Sequence, residues 1–164
     1  MKPLYARQKA VNYAREWALG RNPRYYNCAG MGGDSANFIS QCLYAGAGVM
    51  NDTPAGGWYY ISAENRAPAW ASMKYLNRFL RTNRAAGPYA GTVAPHQLEP
   101  GDVIQLAIGS GERCRALLVT QVGPVPTLEN ILVCAHSYDS LDRPLSTYAN
   151  GEMHCLHING VRAG

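Results

Sequence analysis

The chain has 164 residues, of which 47% are hydrophobic and 16% charged. This length and apolar fraction are typical of one compact domain with its own core, so we expect a single domain over residues 1–164. The formal net charge of +4 comes from scattered Lys and Arg, and no basic run or phosphate-binding glycine motif is present. Composition therefore argues against a nucleic-acid partner and predicts no cofactor.

Apolar runs such as residues 116–119 and 131–135 are far shorter than the roughly 20 residues that cross a bilayer. The first residues also lack the apolar region of a secretory signal. We therefore expect a cytoplasmic protein with no membrane partner, with export by another route as the alternative. No Cys-x-x-Cys pair occurs, which predicts reduced, mostly buried thiols at Cys28, Cys42, Cys114, Cys134 and Cys155 rather than disulfides or a zinc site.

Two helices are predicted in the first third of the chain. Apolar residues recur at helical spacing from Leu4 to Ala18, and Gly20 lies at the stop. A second apolar stripe runs from Asn37 to about Tyr44, after a Gly-Gly-Asp turn, which places Ser35 at a helix N-terminus. The basic residues of the first helix and its exit are expected to form a solvated face: Arg7, Lys9, Arg15, Arg21 and Arg24.

The remaining elements change from helical to strand-like along the chain. Residues 46–57 are rich in Gly, Asn, Asp and Pro and predict a long loop, followed by a third helix from Trp70 to Leu80. After Gly87, short β-rich runs are separated by Gly and Pro turns. Helices followed by strands predict an α+β domain, with the N-terminal helices packed on an antiparallel sheet or half-barrel. The predicted strands are residues 103–106, 116–122, 131–134 and 154–158.

The segment from Asp34 to Gln41 reads Asp-Ser-Ala-Asn-Phe-Ile-Ser-Gln. It resembles the nucleophile motif of the bacterial putative amidase domain family, in which the pattern is Asp-Cys-Thr-Asn-Phe-aliphatic-Ser-Gln. The resemblance implies a papain-like fold related to the NlpC and CHAP cell-wall amidases and peptidases. Further blocks that resemble the family follow in the same order: residues 13–17, 21–26, 57–60, 100–105 and 135–139.

The resemblance also implies where a catalytic triad would lie, and two of its positions are exchanged. Ser35 stands at the position of the catalytic cysteine, next to Ala36 in place of threonine, and Arg115 stands at the position of the histidine. Arginine stays protonated and cannot act as a base, whereas a serine nucleophile needs one. The third position, which orients the histidine, falls on His136. We therefore predict a catalytically degenerate domain with a binding or regulatory role.

Two alternatives remain beside this prediction, and the role of Arg115 is open between two interpretations. An active amidase could use a native cysteine that Ser35 replaces, or a dyad of Ser35 and His136. A structural protein could reuse the scaffold and fill its cleft with side chains. Arg115 could form an anion site beside the helix N-terminus, suited to carboxylate or phosphate, but a salt bridge to Asp34 or Asp139 is favoured.

The expected ligand is a peptide or cell-wall amide fragment, bound through a carboxylate or another anionic group at Ser35 and Arg115. Ser35 itself is expected to cap its helix, and Asp34 either orients the site or does the same. The aromatic cluster after the long loop lines a groove or belongs to the core. His154 and His157 lie three apart on a strand and face opposite sides, so no metal site is predicted. The candidate binding residues are Asp34, Asn37, Gln41, Trp58, Tyr59, Tyr60 and Asp139.

Overall fold

The computed structural model describes residues 4–30, 34–107, 114–136, 138–148 and 152–163. Its helices are α1 (Arg7–Trp17), α2 (Asp34–Ala47), α3 (Pro68–Ala71) and α4 (Met73–Thr82), with 3₁₀ turns at Pro95–Gln97 and Leu145–Thr147. Its strands are β1 (Tyr60–Ser62), β2 (Asn65–Arg66), β3 (Gly87–Val93), β4 (Val103–Ala107), β5 (Cys114–Gln121), β6 (Leu132–Ala135), β7 (Ser140–Pro144) and β8 (Glu152–Arg162). Within the described residues, no helix has the length and apolar content that would span a membrane.

Six strands form one antiparallel sheet in the order β3-β8-β4-β5-β6-β7, and β1 and β2 form a separate small hairpin. β5 lies between β4 and β6, and the long strand β8 lies between β3 and β4. The predicted α+β class, with helices packed on an antiparallel sheet, is confirmed.

The core lies on both faces of this sheet. On β5, Ala116 and Leu118 face the cluster that contains the helices, while Leu117 and Val119 face a second apolar cluster on the other side. This alternation follows from the two-residue period of a strand, and it explains why β5 is a continuous apolar run. On the helical side Phe38 of α2 is fully buried, which contributes about 1.5–3 kcal/mol.

Two parts of the fold differ from the sequence prediction. The third helix is broken at Ser72, whose extended backbone separates α3 from α4 and whose hydroxyl accepts a hydrogen bond from the Tyr75 amide at 3.5 Å. The strands β1, β2, β3 and β7 were not predicted. β3 contains Pro88 and β7 ends at Pro144, and prolines are tolerated because both are edge strands of the sheet.

The described cysteine side chains are free thiols and all four are buried. Burial raises the pKa of Cys134 and of Cys155 to about 11, and it raises the pKa of Cys42 as well. These thiols are therefore protonated at neutral pH, as inert core residues are. The prediction of reduced, buried thiols is confirmed for Cys28, Cys42, Cys134 and Cys155.

Candidate functional site

Ser35 lies in the first turn of α2, and its hydroxyl bonds to the neighbouring strand. The Ser35 Oγ accepts a hydrogen bond from the Ala116 amide at 2.7 Å and donates one to the Ala116 carbonyl at 3.2 Å. Ala116 pairs with Gln105 of β4 on one side, but β6 pairs with β5 only from Leu118 onward, so Ser35 takes the place of a strand partner on the β6 side. With 6% of its surface exposed, Ser35 is a buried clamp between α2 and β5. The expectation that it caps α2 was wrong, because its hydroxyl bonds β5 instead.

His136 is held by contacts that determine its proton positions. Its Nε2 lies 2.8 Å from the Trp17 carbonyl, and because a carbonyl only accepts, Nε2 must carry a proton. The contact of Nε2 with Arg21 Nη1 at 3.4 Å is then donor against donor and not a hydrogen bond. The ring stacks on Phe38 with centroids 3.9 Å apart, and Nδ1 faces Asp34 Oδ1 at 3.5 Å.

Arg21 joins two carboxylates that lie far apart in the sequence. Its Nη2 donates to Asp34 at 2.9 Å, and its two terminal nitrogens form a bidentate pair with Asp139 at 3.0 Å each. The expectation of a solvated basic face was wrong for this residue, and also for Arg7 and Arg15, which pair with carboxylates of their own. Sequence reasoning missed Arg21 as a site residue because its partners are distant; its place in a block that resembles the family was the available signal.

These contacts set the charge states of the cluster. Burial opposes ionisation of Asp34, but His136 and Arg21 outweigh it, so the pKa of this carboxyl lies below its usual value. The hydrogen bond with Asp139 and the charges of both carboxylates raise the pKa of Arg21. Asp34 is therefore a carboxylate at neutral pH, paired with a permanent cation. The prediction that Asp34 orients site residues stays open, and no hydrogen bond from its side chain to the described part of α2 is present.

Three buried polar atoms of this cluster have no hydrogen-bond partner among the described residues: Arg21 Nε, Asp34 Oδ1 and His136 Nδ1. A proton on Nδ1 would let His136 donate to Asp34, whereas without it two acceptors face each other. Buried polar groups are ordinarily satisfied, so unused capacity in one cluster requires an explanation. Asp34 precedes Ser35 directly, which places these atoms beside the predicted nucleophile position.

Arg115 is stacked on an aromatic ring rather than paired with a carboxylate. Its guanidinium carbon lies 4.2 Å from the ring centroid of Tyr138, which is 76% exposed and has a φ of +71°. The predicted salt bridge to Asp34 or Asp139 was wrong, because Arg21 occupies both carboxylates. Among the described residues no ion pair or hydrogen bond engages Arg115, so its donors stay available to a ligand.

The two predicted polar residues of α2 have partners within the protein. Asn37 accepts a hydrogen bond from Trp70 Nε1 at 3.0 Å and donates to the Tyr26 carbonyl at 3.2 Å. Gln41 accepts one from the Tyr13 hydroxyl. Both side chains are buried, so they fix the loop and helices around α2.

The aromatic cluster divides between core and surface. Trp58 is fully buried against Trp70, with ring centroids 5.0 Å apart, and its Nε1 donates to Ser40 at 3.1 Å. The groove role considered for Trp58 was wrong, because it has no exposed surface. Tyr59 and Tyr60 are half-buried, and the Tyr60 hydroxyl accepts a hydrogen bond from the Tyr26 amide at 2.7 Å. Tyr59 and Tyr60 alone of the three can reach a ligand.

A second cluster of Asp, Arg and His joins α1 to the sheet. Asp102 Oδ1 accepts hydrogen bonds from Arg7 at 2.8 Å and from the Ile158 amide at 3.0 Å. Its Oδ2 accepts from the Glu99 amide at 2.9 Å and from His157 Nδ1 at 2.8 Å. Asp102 is completely buried and both oxygens are doubly engaged. In the described ranges, neither cluster nor any other group of His, Cys, Asp or Glu has the grouping of a metal site.

Comparison with known proteins defines the class. Residues 4–158 match the family model described as a putative amidase domain, so the chain belongs to that family. It is 31% identical over 140 residues to the uncharacterized protein YhbB of Bacillus subtilis (strain 168). That match covers 83% of this chain and 42% of YhbB, so the chain spans less than half the length of this relative. No solved structure matches the chain.

Proposed function

We propose that this chain is a catalytically degenerate amidase-family domain that binds a peptide or cell-wall amide fragment and acts through binding or regulation. The observation that carries the proposal is the double hydrogen bond between Ser35 and the backbone of Ala116. A nucleophilic serine must pass its proton to a base during attack. Here that proton points at a carbonyl, which cannot accept it as a base does.

Neither neighbouring side chain can replace the missing base. Arg115, at the histidine position of the family motif, stays protonated at any working pH. His136 donates from Nε2 to Trp17 and turns Nδ1 to Asp34, so neither ring nitrogen is aimed at Ser35. Losing a member of a comparable triad lowers kcat by about 10⁴- to 10⁶-fold. Amide hydrolysis should therefore be negligible.

The placement of these positions supports a papain-like relation to the NlpC and CHAP enzymes. Ser35 lies at the start of a helix, against the strand that carries Arg115. His136 comes directly after the next strand, β6. A helix-borne nucleophile beside a histidine-bearing strand and a third polar residue is the order that the family motif implies, so we propose that the cleft keeps this shape while its chemistry is lost.

Arg115 is the proposed anchor for the ligand. A guanidinium offers planar paired donors that match a carboxylate, and no carboxylate among the described residues pairs with Arg115. The exposed Tyr138 ring below it restricts the orientation of the guanidinium and adds a flat surface at the same place. We therefore infer that the ligand presents a peptide carboxylate to Arg115.

The catalytic part of the proposal is tested by reversion. Ser35→Cys, Arg115→His and the double variant are assayed beside the parent with amide substrates and peptidoglycan, after circular dichroism has shown that each is folded. We expect turnover only in the double variant, since a thiolate and its base are both needed. A folded double variant without turnover would argue against an intact cleft, and turnover by the parent would favour the active-amidase alternative.

The binding part is tested with soluble muropeptides in isothermal titration calorimetry. Arg115→Gln should weaken binding by about 10-fold, the usual effect of one charge-assisted contact. Arg143→Gln is the matched control, because Arg143 lies 4.1 Å over the Tyr148 ring in the same kind of stack. Equal weakening by both variants, or undiminished affinity for muropeptides with amidated carboxyl groups, would contradict the assignment of Arg115.

A further inference from the structure

A basic pocket of about 450 Å³ lies between the C-terminal end of α4 and the strands β3 and β8. β8 and β4 separate β3 from β5, the strand that Ser35 contacts, so β3 lies roughly 14 Å from β5 at about 4.8 Å per strand. The pocket is therefore distinct from the family motif. Its polar lining comes from Arg81, Thr82, Asn83, Arg84, Tyr89 and Arg162.

Three arginines line this pocket: Arg81, Arg84 and Arg162. In the described part of the chain, no carboxylate lines the pocket, and none of the three arginines is ion-paired with an Asp or Glu. Arg81 reaches only the Asn77 side chain, at 3.4 Å, and Arg162 donates to the Asn83 carbonyl at 2.8 Å. Arg84 has no hydrogen bond or ion pair with another described residue. Most of the N–H donors are thus available to an anion.

The wall of the pocket is fixed in place before any ligand binds. The Arg162 guanidinium lies 3.8 Å from the ring centroid of Tyr89. The Tyr89 side chain lies over Gly160, its partner on β8. A Cβ atom added at Gly160 would come within 2.8 Å of the Tyr89 hydroxyl. Only glycine leaves room for this ring at that position, so ring and guanidinium are held together. A preorganised cation loses less entropy on binding.

The helix end alone does not account for this charge. Arg81 lies in the last turn of α4, where a cation favours the helix dipole. That dipole amounts to about half an elementary negative charge at the end of the helix, whereas the three guanidinium groups together carry three positive charges. The Asn83 amide already satisfies the Phe79 carbonyl, and Arg162 satisfies that of Asn83. An excess of positive charge remains after these roles are filled.

We propose that this pocket binds a small molecule through a phosphate monoester or pyrophosphate group. Guanidinium groups pair with phosphate oxygens in a bidentate manner, and three arginines that line one pocket suit a group with more than one negative charge. A single carboxylate would leave most of the positive charge unbalanced. The volume also exceeds that of an isolated phosphate, which leaves space for the group that carries it.

The test measures binding of inorganic pyrophosphate, inorganic phosphate and acetate by calorimetry at constant ionic strength. We expect pyrophosphate to bind most tightly and acetate not to bind. Arg84→Gln and Arg162→Gln should each weaken pyrophosphate binding by about 10-fold or more. Arg78→Gln is the matched control, because Arg78 is exposed on α4, the helix that carries Arg81, and does not line the pocket. It removes the same charge and should change the affinity less than twofold.

Arg84→Gln keeps the test independent of folding, because Arg84 is exposed and no contact needed for stability is lost. Three results would overturn the proposal. The first is no saturable binding of either phosphate compound at millimolar concentration. The second is equal weakening by Arg78→Gln, which would indicate diffuse attraction. The third is unchanged affinity in both pocket variants with a lowered Tm, which would assign the arginines to helix stabilisation.

Discussion

The molecule contains two buried clusters with the same three residue types and different hydrogen-bond balance. In one, Asp102 accepts four hydrogen bonds from Arg7, His157 and two backbone amides. In the other, Asp34 pairs with Arg21 through one oxygen, while its second oxygen lies 3.5 Å from His136 Nδ1 and neither atom has a hydrogen bond to a described residue. The residue types alone would not distinguish the two clusters, because both contain Asp, Arg and His.

The difference distinguishes a structural cluster from a candidate site. A buried polar atom without a partner destabilises the protein by about 1–3 kcal/mol, so a cluster that serves only stability should not keep several. The Asp34 cluster adjoins Ser35 and holds three such atoms. We infer that its unused donors and acceptors serve the cleft, whereas the Asp102 cluster holds α1 against the sheet.

The largest expected effect is on the Asp102 cluster. Asp102→Asn removes the carboxylate that pairs with Arg7 and turns an amide NH₂ towards other donors. The free energy of unfolding should fall by about 3–5 kcal/mol, as for other broken buried ion pairs. Urea denaturation measures this. Asp139→Asn, at a partly exposed ion pair, is the control and should lose about 1 kcal/mol or less.

Asp34→Asn should have a smaller effect on stability. It also breaks a buried ion pair, but one carboxylate oxygen has no hydrogen bond to lose. We expect urea denaturation to show a loss of about 1–3 kcal/mol. A loss equal to that of Asp102→Asn would remove the distinction between the two clusters.

The acid stability of the parent should depend in part on Asp34. Its lowered pKa stabilises the folded state fully above the unfolded carboxyl value of about 3.9, and this contribution is lost as the pH falls through the lower folded value. Below about pH 4, the unfolding free energy of the parent should therefore decrease more steeply than that of Asp34→Asn. Parallel pH profiles in urea denaturation would contradict this assignment.

The smallest effect is expected at Arg115, which belongs to neither cluster. Its stack on the exposed Tyr138 ring is the contact that Arg115→Gln removes, so thermal unfolding should show a loss of about 0.5–1 kcal/mol. A loss of several kcal/mol of unfolding free energy would instead favour the predicted salt bridge between Arg115 and Asp34 or Asp139. In the structure Arg21 pairs with both carboxylates.

Local patterns predicted the parts of the fold that depend on local periodicity. The helical spacing around Val11 and Phe38 predicted α1 and α2, and the apolar run of residues 116–122 predicted β5. The break at Ser72 was missed because the apolar spacing continues on both sides of it. β3 was missed because its Pro and Gly are tolerated only in the pairing with β8, which no local pattern contains.

The site was predictable by position but not by partner. The motif placed Ser35, Arg115 and His136 on consecutive parts of the fold, and the structure brings a helix and two strands together there. The motif could not show that Arg21 would pair with both Asp34 and Asp139 or that Ser35 would bond to Ala116. Each of these contacts joins residues separated by 13 positions or more. The location of Trp58 could not be predicted for a related reason. An aromatic residue that lines a groove and one that lies in the core look the same in the sequence.

The central claim is that the Ser35 hydroxyl serves as a structural clamp on β5 and not as a nucleophile. Its most direct test is the hydrolysis of amide and peptidoglycan substrates by the parent and by Ser35→Ala, measured side by side at high enzyme concentration. We expect both proteins to hydrolyse the substrates only at the background rate. Ser35→Ala should also have a lower Tm, because the buried Ala116 amide and carbonyl lose their partner. Turnover by the parent that disappears in Ser35→Ala would contradict the central claim.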